Sequence, residues 1–224
     1  MKVVDIIQCD PEVPIGVFGE LLAEWRLPFR IVRLYVGDAL PVGADAVIVL
    51  GGTMGVHDEA LHPLLRPLKE FLARRLIAGT PLLGVCLGGQ LLASLAGGVV
   101  SSNCRGERGL VEVSLTAFGL SDPLFSDIGQ RFQAFQWHND SFTIPSVALH
   151  LASSIACPGQ AFRAGNAWGL QFHPEVDRDL VAAWSGKTTT HTTLTAEFAT
   201  VETTHRAMAR QLLANFLTIA NQHT

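Results

Sequence analysis

A cysteine, a histidine and a glutamate carry the most chemistry in this 224-residue chain. Cys86 lies in Gly84-Val85-Cys86-Leu87-Gly88. Far downstream, Gln171-Phe172-His173-Pro174-Glu175 sets a carboxylate two residues beyond a histidine. A thiol, a base and an acid to orient the base are the parts of a cysteine-nucleophile enzyme that works through a covalent acyl intermediate. A lone cysteine is by default a small buried hydrophobe. That reading needs Cys86, the glycines around it and the distant His-Pro-Glu to coincide by chance.

The flanking residues say how the thiol is held. Pro81–Val85 is a short apolar run of the buried-strand type. Leu87, Leu91, Leu92 and Leu95 recur at helical spacing, and Gly97-Gly98 ends the pattern. The cysteine therefore sits on a sharp strand-to-helix turn, where Gly84, Gly88 and Gly89 supply small neighbours. A helix N-terminus favours the thiolate. Residues 81–100 carry no charge and are long enough to span a bilayer. The glycines, Gln90 and Ser94 that punctuate the run fit a strand, turn and helix instead.

Strand and helix patterns alternate before the elbow. Lys2–Gln8, Phe29–Leu34 and Ala46–Leu50 read as strands, Gly16–Trp25 and Pro63–Ala78 as helices. Such alternation predicts a doubly wound, mostly parallel α/β sheet with helices on both faces and sites at the carboxyl ends of its strands. Gly109–Leu115, Arg131–Trp137, Ala148–Ser154, Gln160–Ala164 and Ala167–Phe172 then follow as short strands with little helix between them. They predict a small added antiparallel portion that returns the chain to the site. The threonine-rich stretch Thr188–Thr195 reads as a loop. Phe198, Val201, Met208, Leu212, Phe216 and Ile219 mark a closing amphipathic helix. The whole chain, 1–224, reads as one domain.

Composition narrows the class. Charged residues make up 16% and net charge is −4, with scattered basic residues, so no nucleic-acid footprint is expected. Met1-Lys2 leads directly into a strand and lacks the long apolar region of a signal peptide. Cys9, Cys86, Cys104 and Cys157 are widely spaced and form no metal-like pair. Reduced thiols in a cytoplasmic protein, with no membrane association, metal or cofactor, are the expectation. The histidines other than His138 and His173 show no ligand spacing and read as solvated.

Gly84-Val85-Cys86-Leu87-Gly88-Gly89-Gln90-Leu91-Leu92 and Gln171-Phe172-His173-Pro174-Glu175-Val176 resemble the two signatures of class I glutamine amidotransferases. Gly51-Gly52, after the strand Ala46–Leu50, matches the family's oxyanion-loop glycines. Within the family the chain looks similar to the amidotransferase part of GMP synthase and to γ-glutamyl peptidases. The resemblance implies a flavodoxin-like fold and attack by Cys86 on the γ-carbonyl of glutamine or another γ-glutamyl compound. His173 would be acid and base, and Glu175 its orienter. Gly52 and the Leu87 amide would form the oxyanion hole, and Gln90 would bind substrate. Trp137-His138-Asn139-Asp140 falls where relatives have a His-Gly-Asp or similar segment. His138 stands equally as a substrate-binding residue or a loop histidine. Asn139 replaces the usual glycine; asparagine tolerates left-handed geometry better than most residues. No Gly-x-x-x-x-Gly-Lys-Ser/Thr loop is present. Ammonia transfer therefore implies a separate synthase subunit, while a self-contained hydrolase or a non-catalytic binding protein are the competing readings.

Overall fold

The computed structural model describes residues 3–186 and 191–222. In chain order the strands are β1 (Val4–Gln8), β2 (Phe29–Arg33), β3 (Ala46–Val49), β4 (Leu82–Val85), β5 (Val100–Ser101), β6 (Glu107–Leu115), β7 (Arg131–His138), β8 (Ser141–Phe142), β9 (Leu149–Ser153), β10 (Ala161–Ala164) and β11 (Ala167–Leu170). The helices are α1 (Val17–Glu24), α2 (Leu65–Ile77), α3 (Leu87–Leu95), α4 (Ala117–Ser121), α5 (Arg178–Ser185) and α6 (His191–Gln222).

Nine strands form one sheet in the order β2-β1-β3-β4-β11-β10-β9-β6-β7. From β2 to β11 every neighbour is parallel. From β11 to β7 every neighbour is antiparallel. The antiparallel strands thus extend the same sheet and, through β11, bring the chain back beside β4. This is the expected flavodoxin-like α/β fold.

The parallel strands are apolar on both sides because both faces are covered. Ile6, Ile48 and Leu83 face α1 and α6 in one core, with Phe18, Leu22, Leu212 and Phe216. Their neighbours Ile7, Val47, Val49 and Leu82 face α2 and α3 in the other, with Leu68, Phe71, Leu91 and Leu92. The period-two alternation assigns each strand residue to one layer, and it fixes which way the strand ends deliver their loops.

One expectation changes at the C-terminal side. Residues 188–190 of the threonine-rich stretch lie outside the described residues, and from His191 the chain is helical rather than a loop. Leu194 packs so closely on β6 that a β-carbon on Gly109 would lie 2.7 Å from its Cδ2. Tertiary packing there outweighs the poor helix propensity of threonine. Among the described residues, no helix is long and apolar enough to cross a membrane.

Candidate active site

Four parallel strands end at one cavity. Asp10 follows β1, Gly51-Gly52 follows β3, Cys86 follows β4 and His173 follows β11. The cavity has a volume of about 310 Å³, and Gly52, Cys86, Gln90, His138, His173 and Trp184 are among its lining residues.

Cys86 occupies the turn between β4 and α3 with φ 50° and ψ −106°. A non-glycine residue in such geometry is held there by its surroundings. The packing of α3 supplies the restraint. A β-carbon on Gly88 would lie 2.2 Å from the Val49 carbonyl oxygen, and one on Gly89 would lie 2.5 Å from that of Leu170. Only glycine lets the helix start this close to β3 and β11, and that closeness presents the thiol at the rim. Leu87 opens α3, so its amide is one the helix leaves without an internal partner.

His173 and Glu175 come together across from the thiol. His173 Nδ1 lies 2.7 Å from Glu175 Oε1, and both side chains are almost fully buried. The His173 backbone is tied to β7 by a 2.9 Å bond from its amide to the Phe135 carbonyl. The Trp184 ring packs edge-on against the imidazole, with centroids 4.9 Å apart. Trp184 in turn donates through Nε1 to the Glu12 carbonyl at 2.7 Å. Burial alone would lower the His173 pKa. The negative charges of Glu175 and Cys86, with the hydrogen bond to Glu175, overcome it and raise the pKa to about 10. His173 Nε2 has no partner at hydrogen-bond distance among the described residues. It is therefore available to a reacting group. The arrangement holds an imidazolium beside a thiol, which is the electrostatic requirement for a thiolate nucleophile.

The Gly51-Gly52 turn runs close against these groups. A β-carbon on Gly51 would meet His173 Cε1 at 3.1 Å, and one on Gly52 would meet Leu87 Cδ2 at 2.8 Å. Two carboxylates anchor the turn. Asp10 Oδ2 accepts from the Thr53 amide at 2.9 Å and from the Thr53 hydroxyl at 2.5 Å. Asp58 Oδ2 accepts from the Gly55 amide at 2.7 Å. Burial opposes the charge of Asp10, but its hydrogen bonds from Thr53 and Glu12 prevail and lower its pKa.

Gln90 is buried on α3, and its amide nitrogen donates to the Asp140 carbonyl at 3.1 Å and to Gln171 Oε1 at 3.3 Å. Gln171 Nε2 reaches Cys86 Sγ at 3.6 Å. His138 ends β7 and is 4% exposed, with Nδ1 2.8 Å from the same Asp140 carbonyl. Asn139 is not left-handed; its side-chain oxygen accepts from Arg108 Nη2 at 2.8 Å, and the Arg108 guanidinium stacks 4.3 Å over the Trp137 ring.

The structure thus gathers Cys86, His173, Gly52, Leu87, Gln90 and His138 at one place, with Glu175 behind His173. Asp10, Gln171 and Trp184 join them; no motif in the sequence singles out Asp10 or Trp184, and Gln171 opens the Gln-Phe-His-Pro-Glu motif without a role assigned to it. Asp10 and Gln171 are within reach of the rule that parallel sheets build sites at the carboxyl ends of strands, since both closely follow a strand. Trp184 has no such signal, because only the packing of α5 brings it to His173.

The family model for glutamine amidotransferase class I matches residues 22–180. The chain belongs to this family. A glutamine amidotransferase-like protein of Salmonella typhimurium, YfeJ, is 32% identical over 64% of the chain and 63% of its own length. One subunit of the glutamine-hydrolysing GMP synthase of Picrophilus torridus is 34% identical, over 69% of the chain and 82% of that protein. A γ-glutamyl-L-1-hydroxyisopropylamide hydrolase of Pseudomonas is 30% identical, over 73% of this chain and 60% of that one. The solved structure of a glutamine amidotransferase from Thermotoga maritima superposes with a TM-score of 0.88 at 27% identity, covering 96% of this chain and 98% of that one.

His205 departs from its expected solvated role. It is 2% exposed on α6, edge-on to Phe198 with centroids 5.1 Å apart. Burial is the main cause that pushes its pKa from 6.5 down to about 4; the Pro174 carbonyl opposes this and the charge of His173 adds to it. The unfolded chain therefore binds a proton that the folded chain refuses between about pH 6.5 and 4. Stability present above pH 6.5 is lost as pH falls through that window, by about 3 kcal/mol. Denaturant unfolding from pH 7 to pH 4 should show the parent losing that much more than His205→Leu. Parallel losses in the two proteins would refute a neutral, buried His205.

Proposed function

We propose that this chain releases ammonia from the side-chain amide of glutamine through a γ-glutamyl thioester on Cys86. The observation that supports it most is the convergence of an elbow cysteine and a paired His173–Glu175 on one cavity. In this cycle the Cys86 thiolate adds to the γ-carbonyl carbon, and the oxygen takes the negative charge. The amides of Gly52 and Leu87 stabilise that oxyanion. The carbon–nitrogen bond then breaks as the His173 imidazolium gives its proton to the departing amine. Neutral His173 next takes a proton from water, which attacks the thioester carbon and returns glutamate and the thiolate. Glu175 keeps Nδ1 protonated and compensates the ring's positive charge. Gln90 and His138 are proposed to contact the substrate from the cavity wall. The Picrophilus relative, itself one subunit of a synthase, supports delivery of the ammonia to a separate synthase.

A second reading, a self-contained γ-glutamyl hydrolase, is favoured by the cavity lining. Trp137, Trp184 and the stacked Arg108 contribute aromatic and cationic surface that a departing ammonia does not need. The Pseudomonas relative is named for a γ-glutamyl amide larger than glutamine. Steady-state ammonia release from glutamine by the isolated chain, against glutamate release from γ-glutamyl dipeptides, separates the two. Measurable glutaminase turnover is expected. Rapid dipeptide cleavage with negligible action on glutamine would replace the first reading by the second.

A further inference from the structure

Behind the cavity wall lies a buried cluster of which His138 alone also lines the cavity. Glu107 opens β6, His138 ends the paired β7 directly opposite it, and Cys157 lies between β9 and β10. A carboxylate oxygen, a ring nitrogen and the sulfur all fall within 4.8 Å of one another, and all three residues are buried. Their separations in sequence carry no metal-binding signature, because three distant segments of the antiparallel extension supply one ligand each.

The proton positions leave a charge missing. His138 Nδ1 is 2.8 Å from the Asp140 carbonyl, which can only accept, so this nitrogen carries the hydrogen. In the neutral ring Nε2 is then a lone pair, and it faces Glu107 Oε2 at 3.4 Å. No hydrogen bond reaches Nε2 among the described residues. Glu107 is held as an acceptor on both oxygens: Ser154 Oγ donates to Oε1 at 2.7 Å and Gln160 Nε2 to Oε2 at 2.5 Å. Two buried acceptors and a sulfur thus face one another within 4.8 Å. A shared proton would draw the nitrogen and oxygen to about 2.7–2.9 Å. A tetrahedral ion with nitrogen and oxygen bonds of about 2.0–2.1 Å holds such ligands about 3.3–3.4 Å apart.

We propose that Glu107, His138 and Cys157 bind a zinc-class divalent cation, with water or another small ligand completing the tetrahedron. Thiolate, imidazole and carboxylate are the donor set that such ions take, and Cys157 gives up its thiol proton on binding. The outer partners are already in place, with the Asp140 carbonyl orienting His138 and Ser154 and Gln160 orienting Glu107. The ion ties together three segments of the extension and sets the ring of a cavity-lining residue. Through the Asp140 carbonyl, Gln90 and Gln171, that ring is linked to Cys86 Sγ. The site shares His138 with the cavity wall, but binding of the ion does not depend on the proposed chemistry.

Cobalt(II) titration of the chelator-stripped full chain tests the site, in a Cys86→Ser background that removes the active-site thiolate as a competing ligand. One equivalent should bind, with the intense visible bands of a tetrahedral ion and a thiolate-to-cobalt charge-transfer band. Zinc should displace it and raise the thermal midpoint. Adding Cys157→Ser should abolish the charge-transfer band, and Glu107→Gln should weaken binding at least about 10-fold. Failure of the Cys86→Ser protein to bind cobalt would overturn the proposal without recourse to further variants. So would a charge-transfer band that survives Cys157→Ser, since Cys9 or Cys104 would then hold the ion. His138→Gln provides an independent check should Cys157→Ser not fold, and unchanged cobalt affinity in it would also overturn the site.

Discussion

Cys86→Ser should lower turnover by on the order of 10⁴-fold or more, leaving only what the rest of the site contributes without its nucleophile. Serine fits the elbow sterically, so the fold and substrate binding should survive. The hydroxyl does not ionise beside His173 as a thiol can. The negative charge that helps raise the His173 pKa to about 10 is then missing, and burial pulls that pKa down. Glutamine analogues carrying an electrophile on the side chain should label Cys86 alone. Burial and the charge of Asp10 push the Cys9 thiol up to about 12, and burial with the charge of Glu107 pushes Cys157 up to about 11. Neither offers a free thiolate at neutral pH, since Cys9 keeps its proton and Cys157 gives up its own only to a bound ion. Mass spectrometry of the labelled protein, with ammonia release by the variant, makes the check. Label on Cys9, Cys104 or Cys157 together with an active Cys86→Ser protein would remove the nucleophile from this position.

The elbow was legible in sequence because its constraints are local. The glycines that allow α3 to start against β3 and β11 lie within three residues of the cysteine, and the apolar run that makes β4 ends immediately before it. The parallel strands were legible for the related reason that burial on both faces leaves uninterrupted Val, Ile and Leu. The small sheet of β5 and β8 and the short helices α4 and α5 were not, since each is too brief for a hydrophobic period to emerge. α5 did carry a start signal in Asp177, whose side chain accepts from the Leu180 amide at 2.8 Å. The polar contacts behind the cavity were invisible for another reason. Glu107, Ser154, Cys157 and Gln160 meet only because β6, β9 and β10 are neighbours in space, and nothing in their spacing encodes that order. His205 escaped because a single histidine on an amphipathic helix does not reveal whether its face is covered.

His173→Asn should cost about 10⁴-fold in turnover, and Glu175→Gln less, roughly 10²–10³-fold. The difference follows from what each removes. Asparagine can neither deliver a proton to the leaving amine nor take one from water, so both halves of the proposed cycle fail. Glutamine at 175 still offers a carbonyl oxygen to Nδ1 and can hold the ring, but it carries no charge to balance an imidazolium in a site where Glu175 is fully buried. That loss has its own signature in the pH profile. Burial lowers the His173 pKa, and the Glu175 carboxylate is the largest influence opposing it, bringing it to about 10. In the parent, activity should therefore fall as pH rises through the alkaline region, where the imidazolium deprotonates. Removing the carboxylate charge lets burial count for more, so the alkaline limb should move to lower pH in Glu175→Gln. A simple structural defect would depress activity without moving the limb. Glutamine hydrolysis followed from about pH 6 to about pH 10.5 in the parent and both variants makes the test, a range that brackets the alkaline limb. An unshifted alkaline limb in Glu175→Gln would dismiss Glu175 as the partner that sets the charge of His173. Parent-like activity in His173→Asn would move the base to another histidine of the cavity, with His138 next in reach.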